Sequence, residues 1–194
     1  MRWGQVQREA EMDFRDIITM ALDEYLSELK KAVFGLSSEE RRFQPTPESN
    51  HIDFQVWHMA RVEDYWVQWA AKGVDMVWQR DGWHERLGLP EMDSGFGYTA
   101  EQVKGLPRFD MDEMMAYFDS VREGTLDFVR GLAPADLDMT PLPRPNPNAP
   151  DTTLGKVFSH LIVEESQHLG QVAYIRGVQR GLDNRRSLGK EWDN

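Results

Sequence analysis

The chain of 194 residues is 40% hydrophobic and carries 33 acidic against 22 basic residues, a formal net charge of -11. That length and apolar content suit a single domain over residues 1–194 with its own core, and the acidic balance argues against nucleic acid as a partner because it repels a phosphate backbone. Cysteine is absent, which removes disulfides, a thiol nucleophile and thiolate ligands together and leaves imidazole and carboxylate as the strong metal ligands.

The opening MRWGQVQREAEMDF is charged and lacks an apolar signal core, and no run of about 18 apolar residues follows, so no membrane span is expected and the cytoplasm is the expected location. Residues 11–35 read as an amphipathic helix through Ile18, Leu22, Tyr25, Leu29 and Val33, with Gly35 as its stop. A proline-containing connector leads to a second helix over 51–72. Asn50 with Asp53 resembles a reciprocal cap, Gly73 ends the helix, and the inward stripe reads Gln55, His58, Val62, Tyr65 and Trp69. A single histidine on such a face is more often a hydrogen-bonded core residue than a ligand.

Thirty-seven residues, 73–109, separate the second helix from the third, far more than adjacent antiparallel helices need. Such a crossover lets the third helix run parallel to the second, and an all-α four-helix bundle with up-down-down-up order follows. The aromatic crossover, with Trp78, Trp83, Phe96 and Tyr98, is expected to cover one end of the bundle as a lid or pocket wall. The third helix, 111–132, reads as structural throughout. A connector at 133–151 holds six of the ten prolines and reads as an extended strap or plain linker.

The last helix, 154–178, departs from a bundle pattern. Its inward positions are Leu154, Val157, Leu161, Glu164, His168, Gln171, Ile175 and Val178, apolar at the ends and polar in the middle. A carboxylate taken out of water without a partner costs several kcal/mol, and Glu164 with His168, one turn apart, can converge on one divalent ion. With His58 they make a His2Glu set that leaves a position open and suits Zn, Ni, Fe or Mn.

Around that set several readings stay open. Gln171 orients a ligand or is polar packing. His160 is a fourth ligand, a proton shuttle or catalytic residue, or a packing residue. Glu165 reads as a flank residue or outer acceptor, while His51 and His84 read as solvent-exposed. Glu165 and His168 also spell the E-x-x-H of di-iron bundles, but the partner motif is missing because Gln55 precedes His58 by three. Arg176 and Arg180 either recognise a substrate carboxylate or answer the helix dipole.

Together, VWHMARVEDYW and SHLIVEESQHLGQVAYIRG resemble the DinB and YfiT superfamily of bacterial four-helix-bundle metalloenzymes over nearly the whole chain. That resemblance implies a divalent metal on one histidine of the second helix and two histidines four apart on the last, before a glycine and glutamine matching Gly170 and Gln171. His58 and His168 match. Glu164 stands where most members have histidine, and some branches that resemble the mycothiol-dependent maleylpyruvate isomerases carry glutamate there. The resemblance implies a small-molecule substrate, a low-molecular-weight thiol cosubstrate in S-transferase or isomerase chemistry, and a homodimer. The alternatives are a metal-dependent hydrolase and a non-catalytic metal-stabilised binding or stress-response module.

Overall fold

The computed structural model describes residues 12–140 and 152–181, so most of the proline-rich connector lies outside the described residues. Helix α1, Phe14–Val33, starts at Asp13, whose side chain accepts from the Arg15 amide while Asp16 reaches back to the Asp13 amide. It ends where Gly35 takes φ of 68°, the stop read from the sequence. After the single turn α2, Ser38–Arg41, helix α3 runs Ile52–Asp64 and widens into a π-helical stretch at Tyr65–Ala71. The crossover forms three short helices, α4 at Val77–Arg80, α5 at Trp83–Leu87 and α6 at Ala100–Gly105. Helix α7 spans Met111–Arg130, a 3-10 turn covers Pro134–Asp138, and α8 spans Leu154–Arg180.

Side-chain pairings fix the directions. Arg15 reaches the Leu132 carbonyl and Lys30 meets Asp119, so α1 and α7 are antiparallel. Arg61 meets Tyr117 and Glu63 meets Arg122, so α3 and α7 run parallel. Gln55 faces Gln171 while Trp66 faces His160, which sets α3 antiparallel to α8. The order is up-down-down-up, which the long crossover permits. No helix among the described residues is long and apolar enough to cross a membrane.

The core departs from the sequence pattern on α3, which is buried nearly all round because α7, α8 and the crossover all pack on it. Arg61, Glu63, Asp64 and Gln68 are consequently buried, and each needs a partner. The Asp64 carboxylate takes the amides of Val77 and Trp78, each at 2.9 Å, and the Tyr117 hydroxyl, tying the crossover to α3 and α7. Val178, read as inward, is half exposed. The α8 stripe drifts out of strict heptad register over a helix this long, because an undistorted helix turns every 3.6 residues rather than 3.5.

A second departure is the hub at Arg122, on a helix that reads as structural throughout. Its Nε donates to Glu63 Oε1 at 3.0 Å, and its Nη2 to Glu63 Oε2 at 2.9 Å and to Glu165 Oε2 at 3.0 Å, while Nη1 reaches the Leu22 carbonyl. One guanidinium thereby joins all four long helices. Glu165 is fully buried rather than on the flank. Burial raises its pKa well above the ordinary value, and the neighbouring Glu63 charge adds to this. Burial also pushes Glu63 up, but Arg122 overrides that and holds it below its ordinary value. The guanidinium thus favours the ionised form of Glu63, while burial favours the neutral form of Glu165, which lowers the net charge that the hub carries out of water.

His51, expected in solvent, is buried at the start of α3 and caps it in place of Asn50. Its Nδ1 accepts from the Phe54 amide at 3.0 Å, and its Nε2 donates to the Val103 carbonyl at 3.0 Å, docking α6 on α3. Burial, reinforced by the Arg42 charge, pulls its pKa down from 6.5 to about 4. The folded state thus binds its proton less readily than the unfolded chain, so the resulting stability is fully present above pH 6.5 and lost as pH falls to about 4. Urea titrations at pH 7 and pH 4.5 should show wild type losing about 2 kcal/mol more than His51→Asn, which keeps a capping side chain without the titration. Equal losses would refute the assignment.

Arg176 and Arg180 finish the last helix against α1. Arg176 donates to the carbonyls of Ala32 and Phe34, and Arg180 to the Gly35 carbonyl and the Glu40 carboxylate. Both side chains therefore tie the end of α8 to the chain at and just beyond the C-terminus of α1.

Candidate metal centre

Three side chains from two helices meet at the edge of the α3–α8 seam. One ligand atom each from His58, Glu164 and His168 lies within 4.8 Å of the other two. Glu164 Oε1 is 3.0 Å from His168 Nε2 and 3.9 Å from His58 Nε2, and the two rings meet edge-on with centroids 5.4 Å apart. His58 is buried, whereas Glu164 and His168 are half-buried and leave one side of the group towards solvent.

The outer nitrogens decide whether a cation fits. His58 Nδ1 lies 2.8 Å from the Ser94 carbonyl, and His168 Nδ1 lies 3.1 Å from Gln171 Oε1. Both partners offer an oxygen acceptor, so each Nδ1 can hold a hydrogen while Nε2 is turned towards Glu164, which in the absence of a cation makes the 3.0 Å His168 Nε2 contact a hydrogen bond to that carboxylate. A cation would replace that Nε2 hydrogen. Burial lowers the His58 pKa, which favours the neutral imidazole that ligation requires. The donor set contains two imidazoles and a carboxylate and no thiolate, and it fits a borderline divalent ion.

The fold builds this arrangement deliberately around His58. Its ring stacks on Phe54, with centroids 5.4 Å apart and planes 8° from parallel. Over its other edge passes the crossover segment at Asp93–Tyr98, held by the Arg61 Nε bond to the Asp93 carbonyl at 2.9 Å and by the Tyr98 hydroxyl on Asp93. Gly95 lets this segment approach. At φ of 73°, a Cβ there would stand 2.7 Å from Trp57 Cζ3 and 3.4 Å from His58 Nδ1. The crossover therefore forms a wall at His58, and Phe96 at its tip is 89% exposed.

A paired substitution separates that wall from glycine strain in general. Gly95→Ala should lower metal affinity by roughly tenfold or more through the displaced Ser94 carbonyl, measured by competition with a chelator. Gly97→Ala meets nothing within 4 Å at φ of 72° and should cost stability alone. Equal metal affinity in both variants would refute the role of the wall.

Gln171 touches His168 and also accepts from Gln55 Nε2, a residue the stripe placed inward. His160 is exposed, packs edge-on against Trp66 at 5.8 Å, and is not in the three-residue group. His84 is half-buried, with Nδ1 3.2 Å from the Trp78 carbonyl. What sequence reasoning missed is the support of the site: Ser94, Gly95 and Gln55. The positions of Gly95 and Gly97 around an exposed aromatic were the available signal for a close approach.

The profile of the DinB superfamily matches residues 21–172. A crystal structure of a conserved protein from Enterococcus faecalis superposes with a TM-score of 0.77 at 19% identity, covering 89% of this chain and 100% of that one. No curated protein matches at a significant level.

Proposed function

The chain belongs to the DinB superfamily, and from that membership we propose that it is a mononuclear divalent-metal-dependent enzyme of His2Glu type. Its reaction is S-transfer or isomerisation of a small electrophile with an external low-molecular-weight thiol. The observation that carries this reading is the paired ring orientation: two independent contacts, to Ser94 O and Gln171 Oε1, turn both Nε2 atoms onto one carboxylate oxygen. A structural ion pair between His168 and Glu164 has no need of His58.

A divalent cation bound there supplies Lewis acidity, lowering the pKa of a thiol or a water molecule beside it. The protein's own contribution is positional. Phe54 and the Gly95 segment hold the His58 ring and keep water from its buried edge, and Gln171 fixes His168. The absence of cysteine from the whole chain means that any thiol must come from a cosubstrate. The half-buried side of the group, with His160 outside it, suits access by small molecules rather than a closed structural site.

Metal analysis combined with turnover assays across a panel of thiols and electrophiles tests the reading. Metal-dependent product formation that requires the thiol is expected. Turnover of esters or amides without thiol would replace it with a hydrolase, and metal uptake that only raises thermal stability would replace it with a binding module.

A further inference from the structure

A groove of about 700 Å³ lies between the connector at 45–50 and α8, and Gln55 and Gln171 form part of its wall. It adjoins the metal centre because Gln171 also touches His168. Its lining is unusual for an acidic chain. Asn50, Gln167, Gln171 and Tyr174 present neutral hydrogen-bonding groups, and Glu48 is the only charged lining residue among those described.

Gln171 cannot turn freely. Its Oε1 accepts from Gln55 Nε2–H and lies 3.1 Å from His168 Nδ1. The Gln55 donor makes that end of the carboxamide the acceptor, so the amino group points the other way. That Nε2 has no protein partner among the described residues, and Gln171 is exposed. Gln55 is 2% exposed, and its own Oε1 is left buried without a partner. A buried orphan acceptor costs free energy, and here it accompanies a carboxamide held in one orientation.

Resting on the metal-enzyme reading above, we propose that this groove is the subsite for the non-reacting part of the substrate. It takes a neutral carbonyl-bearing group, a carboxamide or ester, whose oxygen accepts from Gln171 Nε2. Among the described residues no lysine or arginine lines the groove to hold a carboxylate or phosphate, and Glu48 disfavours either. Gln55 is a positioning residue that acts through Gln171.

The test uses the full chain, metal-free and zinc-loaded, with N-acetylglycinamide as the neutral probe and N-acetylglycine as its carboxylate counterpart. Nitrogen-15 NMR follows the side-chain amino signals of Gln55 and Gln171. The expected result is a saturable shift of the Gln171 signal with the amide, at least tenfold weaker binding of the acid, and weakening of amide binding by about tenfold in Gln55→Leu. In Gln171→Glu, which keeps the shape and removes the donor, backbone signals around the groove should no longer respond. Equal binding of the two probes, no saturable shift, or an undiminished response in Gln171→Glu overturns the proposal. Zinc uptake without amide binding overturns it alone, whereas amide binding without zinc uptake overturns it together with the reading on which it rests.

Discussion

Glu164→Ala and His168→Ala are each expected to fold and to lose stoichiometric uptake of one divalent ion, together with any metal-dependent turnover. Both residues are half-buried at the seam rather than in the core, so removing them leaves little unsatisfied behind. Thermal scans give the second readout. An ion at about a thousand times its dissociation constant stabilises the folded state by about 4 kcal/mol, which raises the melting temperature of a chain this size by roughly 8–16 °C. Wild type should show that rise on adding zinc, and the two variants should show none. Glu164→His should retain the ion, since an imidazole is as good a ligand as a carboxylate for a borderline divalent ion. A variant of Glu164 or His168 to alanine that keeps one equivalent of metal would contradict the ligand assignment.

Arg122→Met is the substitution with the largest expected cost in stability, on the order of 3–5 kcal/mol, because it leaves the Glu63 carboxylate buried without its counter-charge. The loss should reach the metal centre as well. Glu165 is the neighbour of Glu164, and the Arg122–Glu165 bond at 3.0 Å fixes the rotation of α8 that turns Glu164 towards α3. Glu165→Gln provides the contrast. Burial and the Glu63 charge favour the neutral form of the Glu165 carboxyl, so an isosteric amide should cost less than about 1 kcal/mol. Urea denaturation of both variants at pH 7 checks this, and a large cost for Glu165→Gln comparable to that of Arg122→Met would refute the charge assignment within the hub.

The bundle was legible because its signals are local and redundant. Apolar residues at three- and four-residue spacing, Gly35 after α1 and a 37-residue gap after the second helix each point to one element or one connection. The π-helical stretch at Tyr65–Ala71 was not legible, since a 3.6-residue pattern carries no mark of an inserted residue. Nor were the buried ions on α3. Arg61, Glu63 and Asp64 look like the charged face of an amphipathic helix until the crossover and α7 are seen to close over that face. His51 was misplaced for the same reason, because only the docking of α6 removes it from water.

At the candidate site, spacing along α8 identified Glu164 and His168, and these do lie together with His58 across the seam. Spacing alone could not supply what turns the rings. The Ser94 carbonyl comes from a loop 36 residues away in sequence, and the Gln55–Gln171 contact joins residues 116 apart. Such partners exist only once the bundle has closed. Helix α8 also shows why its heptad reading was incomplete, since Glu165 takes the buried face while Gln171 and Val178 emerge from it.

Diffraction from zinc-loaded crystals, with anomalous scattering recorded on both sides of the zinc edge, tests the central claim most directly. The account predicts a single strong anomalous peak at about 2.0–2.2 Å from His58 Nε2, Glu164 Oε1 and His168 Nε2. A peak elsewhere on the molecule, or none at these three side chains, would contradict it.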